Sequence, residues 1–156
     1  MRENMREIII RDYEEKDWER LMEIHDAARK QELKLAGLAG AFVPLQEAAE
    51  KEGLFDYTVR VAAADGRAAG FTAYCEGELA WLYVAPEEMR KGIGRQLVLD
   101  AIAHTKERPM AAEVLVGNEP AAALYQSCGF RIKETVSGVM PGNEKFAVSV
   151  YVLELA

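Results

Sequence analysis

Cysteine and histidine are both scarce in this chain, with two of each in 156 residues. Cys75 and Cys128 have no histidine or further cysteine at metal-ligand spacing, so neither a metal site nor a disulfide framework is expected. Both thiols are read as reduced and mostly buried. Long apolar runs are missing too, since no segment approaches the ~18 uninterrupted apolar residues of a membrane span. No apolar signal core follows the charged stretch before Ile8, which predicts a cytoplasmic protein. A basic excess is also lacking. With 26 acidic against 19 basic side chains and a net charge of -7, the composition disfavours nucleic acid and anionic membrane as partners, because both need clustered Lys and Arg.

What remains is globular material, 50% hydrophobic and 29% charged. The length suits one domain over residues 1–156, large enough to bury a core without metal or disulfide support. The negative balance favours a small cationic ligand over an anionic one.

Residues 8–10 are a β-branched run suited to a buried strand, and residues 12–17 carry turn and helix-start chemistry. Leu21, Met22 and His25 follow Trp18 at helical spacing, so that face packs inward. A lone histidine there reads as a satisfied core or boundary residue. Residues 35–43 hold Gly37 and Gly40 without a clear period and read either as an ordinary loop or as a mobile lid. Pro44 then opens a short helix that Gly53 closes. Alternation over 57–64, an Asp65-Gly66 turn, a return strand over 68–75, a reversal at Gly77 and a strand over 79–84 predict three antiparallel strands. Leu97, Val98, Ala101 and Ile102 share one face of the next helix, and 113–116, with a few residues before it, is a strand. A helix over 120–128 ends at Gly129. Strands over 130–134 and 146–155, joined by a Pro141-Gly142-Asn143 turn, complete the order.

Chemistry concentrates in residues 82–95, Leu-Tyr-Val-Ala-Pro-Glu-Glu-Met-Arg-Lys-Gly-Ile-Gly-Arg, where a strand meets a helix through a cation-rich glycine loop. The exposed N–H groups of a first helical turn, with the positive end of the helix dipole, cradle phosphate oxygens, and glycines let the backbone approach closely. Arg90, Lys91 and Arg95 add charge. The Walker pattern is absent, since no Gly-Lys-Ser or Gly-Lys-Thr occurs. The dinucleotide pattern fails as well, because its third glycine position holds Leu97 and antiparallel strands precede the loop.

A strand ending Leu-x-Val-x-Pro, followed by Arg-x-Gly-x-Gly and an amphipathic helix, resembles the acetyl-CoA motif of the GNAT N-acetyltransferases. Asn118, Ala121, Leu124-Tyr125 and Gly129-Phe130 are similar to the second signature of that family, one strand and one helix downstream. The sequence departs from the pattern at Met89, where the family usually has Gln or Arg. The resemblance covers nearly the whole chain. It implies an α/β (α+β) fold, a mixed and mostly antiparallel twisted sheet of about six or seven strands flanked by about four helices.

The resemblance also implies acetyl-CoA as cosubstrate and an amine-bearing acceptor, with no metal. The pyrophosphate would rest on the amides of Arg90, Lys91, Gly92, Ile93, Gly94 and Arg95. The pantetheine arm would pair like a strand with Leu82, Tyr83 and Val84, and Asn118, Ala121 and Tyr125 would lie near it and the thiol. In the reaction so implied, the Val84 amide donates to the thioester carbonyl and Tyr125 protonates the leaving thiolate. Glu78, at the start of the strand leading to the loop, is the candidate general base. Trp18, Phe71, Tyr74 and Trp81 read as core residues rather than an acceptor pocket, and the turn over residues 138–143 reads as a hairpin or as a cover over the acceptor. Two alternatives stay open, a non-catalytic acyl-CoA sensor and a transferase of a longer acyl group. The acceptor is unspecified, and a homodimer is compatible with the family.

Overall fold

The computed structural model describes residues 7–140 and 143–156. Seven strands form a single sheet, β1 (Ile8–Asp12), β2 (Thr58–Ala64), β3 (Arg67–Cys75), β4 (Glu78–Val84), β5 (Met110–Leu115), β6 (Arg131–Met140) and β7 (Asn143–Leu155), in the order β1-β2-β3-β4-β5-β7-β6. Among the described residues there are four α-helices, α1 (Trp18–Leu35), α2 (Leu45–Lys51), α3 (Ile93–Ala103) and α4 (Glu119–Ser127). The element order and the mixed sheet are those expected from the sequence.

Local chemistry explains the turns that set this order. Asp65 and Gly66 both take positive φ, 52° and 85°. That is the two-residue turn whose twist matches paired strands, so β2 and β3 form a hairpin. The two faces of the hairpin bury against different helices, Val59, Val61 and Phe71 toward α1 and α2, and Ala62, Ala64 and Ala69 toward Ile93 and Leu97 of α3. A strand covered on both faces has no polar side, and β3 is accordingly buried from Ala68 to Tyr74. Arg60 locks the layers laterally, with Nε and Nη2 each 3.1 Å from the Asp100 carboxylate on α3 and Nη1 2.9 Å from Asp12 on β1.

Several sequence expectations need correction. The Ile8–Ile10 run is an edge strand rather than a buried one, and Ile9 is 50% exposed. Both thiols are half-buried and free rather than mostly buried. The last two strands are longer than residues 130–134 and 146–155. Of the Pro141-Gly142-Asn143 turn, Pro141 and Gly142 lie outside the described residues, and Gly138 belongs to β6.

The feature that positions the site is a split in the sheet. β4 and β5 are parallel but pair only at Glu78↔Ala111 and Leu79↔Ala112. From Ala80 to Val84 the β5-facing edge of β4 is left without a partner strand, while its other edge stays paired with β3 up to Gly70↔Val84.

Candidate active site

The Ala85 N–H donates to the Ala69 carbonyl at 2.8 Å. Hydrogen-bonding direction alternates along an antiparallel strand, so the N–H groups of Val84 and Leu82 point the other way, into the split. An extended chain laid there would find main-chain donors and acceptors as if joining a sheet. Beyond the strand, Arg90 takes φ 66° and Gly92 φ 83°, which turns the backbone into α3 at Ile93. Gly92 is the N-cap residue, and no side chain caps the helix there, so first-turn N–H groups remain available to an anion. Gly94 brings this turn close to α4, because a Cβ on it would stand 2.9 Å from the Leu124 Cδ2.

The predicted cofactor residues fall into two groups, apart from Val84, which ends β4 and does not line the cavity. Leu82, Tyr83, Asn118, Ala121 and Tyr125 line one cavity of about 310 Å³ together with Glu78. Arg90, Lys91, Gly92, Ile93, Gly94 and Arg95 lie outside that cavity at the start of α3. Within that second group the side chains are partly committed. Ile93 is core, Lys91 pairs with Glu88 at 3.2 Å, and Arg95 donates to the Ser127 carbonyl at 3.0 Å, tying α3 to the end of α4.

Asn118 is 6% exposed and serves two partners. Its Oδ1 accepts from the Ala121 N–H at 3.4 Å as the cap of α4, and its Nδ2 donates to Glu32 at 3.3 Å on α1. Tyr125, 5% exposed, packs edge-on to Phe130 with ring centroids 5.3 Å apart. Its hydroxyl makes no hydrogen bond to the protein, yet no buried side-chain polar atom among the described residues lacks a partner, so the hydroxyl opens to the cavity. Burial, and after it the charge of Glu32, pushes the Tyr125 pKa well above the usual tyrosine range. The residue stays protonated until a strong base forms beside it. Glu78 is exposed, at the mouth, and accepts a hydrogen bond from the Tyr57 hydroxyl at 3.2 Å.

Sequence reasoning missed the wall opposite β4. His25, Arg29 and Glu32 of α1, Glu52 just after α2, and Glu113 of β5 all face the same cavity, whereas Trp81 of β4 is core at 6% exposure, as the sequence assigned it, and borders the cavity as well. Arg29 bonds Glu32 at 3.1 Å and approaches the Met140 sulfur at 3.9 Å, so it joins α1 to β6. Burial raises the Glu32 and Glu52 carboxyls above the ordinary range and lowers His25. One signal for His25 was present in the helical spacing that turned it inward, but spacing does not say what lies beneath a face. Among the described residues no group of three or more His, Cys, Asp or Glu is placed to hold a metal ion.

Comparison with known proteins adds to this geometry. A family model described as an acetyltransferase (GNAT) domain matches residues 55–132. The peptidyl-lysine N-acetyltransferase YiaC of Escherichia coli is 38% identical over 69 residues, a stretch that covers 44% of this chain and 46% of that protein, so the match spans about half of each. The crystal structure of a ribosomal-protein-alanine N-acetyltransferase from Brucella melitensis superposes with a TM-score of 0.70 at 24% identity, covering 95% of this chain and 99% of the other. That of the PaiA N-acetyltransferase from Thermoplasma acidophilum, in complex with coenzyme A, gives 0.68 at 21% identity, covering 96% and 98%. These structural likenesses speak for the fold.

Proposed function

Because the chain belongs to the GNAT acetyltransferase domain family, we propose that it moves an acetyl group from acetyl-CoA directly to a primary amine of a small molecule or peptide. The observation that carries this reading is the open edge of β4, along which the N–H groups of Leu82 and Val84 point away from β3, with Leu82 bordering the cavity that Tyr125 also lines. Leu82, Tyr83 and Val84 hold the pantetheine arm by strand pairing, the amides from Arg90 to Arg95 hold the pyrophosphate, and Asn118 and Ala121 border the arm. Acetyl-CoA supplies the activated acyl group. The Val84 amide donates to the thioester oxygen as negative charge develops, and Tyr125 gives its proton to the departing sulfur. A cavity group takes the proton of the incoming ammonium, and Glu78 is the candidate that the sequence supplied.

The acceptor is read as a cationic amine. The carboxyls of Glu32, Glu52, Glu78 and Glu113 line the cavity against the single guanidinium of Arg29, with burial raising the first two, and the whole chain carries -7, which favours an ammonium over an anionic acceptor. A lysine side chain, the acceptor named for the Escherichia coli relative, meets that description. A cytoplasmic location and pairing into a homodimer belong to the same proposal, and sedimentation checks the second.

Calorimetry with acetyl-CoA tests the first step, with dephosphorylated and pantetheine-free nucleotides as controls. Binding that needs the pantetheine arm is expected, and its absence would sink the reading. Release of free CoA thiol on addition of amines then separates a transferase from a sensor.

A further inference from the structure

We propose that His25, held by Asp26, is the group that takes the proton from the acceptor ammonium, in preference to Glu78. The inference rests on the acetyl-transfer reading above and deepens it. His25 lies on α1 and is only 2% exposed, yet it lines the cavity shared by Tyr83 and Tyr125. Its Nδ1 is 3.0 Å from Asp26 Oδ1. A carboxylate only accepts, so Nδ1 carries the proton and Nε2 presents a lone pair. Asp26 is itself fixed, because the same oxygen accepts the Leu45 N–H at 2.9 Å at the start of α2. The ring is held edge-on to Tyr83, with centroids 4.7 Å apart, and 6.1 Å from Trp81.

The second ring nitrogen is the reactive one. Nε2 has no hydrogen-bond partner, and no buried side-chain polar atom among the described residues is unpartnered, so Nε2 faces the cavity. The sequence expectation of a satisfied core or boundary histidine thus holds for Nδ1 alone. Glu78 offers a weaker case, since it sits exposed at the mouth with one oxygen bonded to Tyr57. Around His25 the titratable and charged groups are Asp26, Arg29 and Glu32 of its own helix, Tyr83 of β4, Glu52 beyond α2, Tyr57 ahead of β2, Glu78 at the start of β4, Glu113 of β5 and Tyr125 of α4. Burial is the main cause that keeps the imidazole neutral, opposed by Asp26 and assisted by Arg29. A neutral imidazole oriented by a carboxylate is a competent base near neutral pH.

In the reaction, Nε2 takes one proton from R–NH3+, leaving R–NH2 and an imidazolium whose charge Asp26 offsets. The nitrogen lone pair forms the C–N bond to the acetyl carbon and the C–S bond breaks. The sulfur takes a proton from Tyr125, and the second N–H proton of the former amine replaces it there. The imidazolium proton then leaves to solvent, so R–NH3+ and acetyl-CoA give the amide, CoA thiol and H+.

The test compares ethylamine, protonated at neutral pH, with methoxyamine, which has the same shape and is already neutral. His25→Asn keeps a donor toward Asp26 and lacks the base. It is expected to lose about 100-fold on ethylamine, within the usual range for a general base, and little on methoxyamine. Glu78→Gln removes one of the carboxyls that line the cavity and is expected to raise KM for ethylamine while kcat on both amines falls far less than about 100-fold. Equal losses on the two amines in His25→Asn, or an ethylamine-selective fall in kcat in Glu78→Gln instead, would overturn the assignment. NMR of the free protein, in which His25 and His104 are the only histidines, gives a readout without turnover. The expected form is the Nδ1–H tautomer, and an Nε2–H tautomer would also overturn it. Wild-type protein that binds no acetyl-CoA or transfers to no amine would instead fail the underlying reading, and the proposal with it.

Discussion

Tyr125 shows how a single residue carries more than its contacts. Its ring is core and its hydroxyl is cavity, so Tyr125→Phe should fold normally and bind acetyl-CoA as before while kcat falls about 100-fold, the low end of general acid catalysis. Calorimetry and steady-state kinetics on one preparation check both halves. Asp17 is the structural counterpart. Its carboxylate takes two bonds of 2.8 Å from Arg11 and one of 2.8 Å from the Glu14 N–H, and the Arg11 bonds hold its pKa below the ordinary aspartate value. A depressed carboxylate stabilises the fold above its unfolded pKa of 3.8 and stops doing so as pH falls through the lower folded value. Asp17→Asn should therefore cost about 2 kcal/mol at pH 7, with the gap to wild type closing below pH ~3.8. Urea titrations at both pH values measure it. Tyr125 and Asn118 were legible because their spacing in the chain is the signature itself. His25, Arg29 and Glu52 were not, because what they face is set by how α1 and α2 lie over β4.

Elements explain why the strand-to-helix turn tolerates little change. A Cβ on Gly92 would meet nothing within 4 Å, but the residue has φ 83°, whereas a Cβ on Gly94 would press on Leu124. The two glycines should fail differently. Gly92→Ala is expected to cost about 1 kcal/mol through backbone conformation alone and to weaken acetyl-CoA binding by misaiming the first-turn amides. Gly94→Ala should be rescued by Leu124→Ala and Gly92→Ala should not, as thermal melts and calorimetry of the double variants would show. Most element positions were legible from the sequence, since turns such as Asp65-Gly66 and the cap at Asn118 are local chemistry. β6 was underestimated for a physical reason. It is an edge strand, exposed from Arg131 to Val139, so no buried alternation marks where it ends.

At the scale of the whole molecule, the sheet is continuous by topology and interrupted by function. Arg60 and its two aspartates bind the layers beside β2, and the cluster of Leu79, Val98, Met110 and Ala112 bridges β4 and β5 on the α3 side. The opposite side is left as the cavity. The gap opens where β4 carries an extra residue: Leu79 and Trp81 pair with the consecutive residues Tyr74 and Ala73 of β3, Ala80 is left over, and pairing with β5 ends at Leu79, a bulge that no pattern of residue types in the strand announces. The gap leaves a signature in solvent exchange. The amide protons of Leu82 and Val84, turned away from β3, should exchange with deuterium quickly in the free protein, while that of Tyr83 between them is slowed by its bond to β3. Adding acetyl-CoA should slow the first two and leave the third as it was, so that alternate amides along one short strand record the ligand's arrival as its missing neighbour.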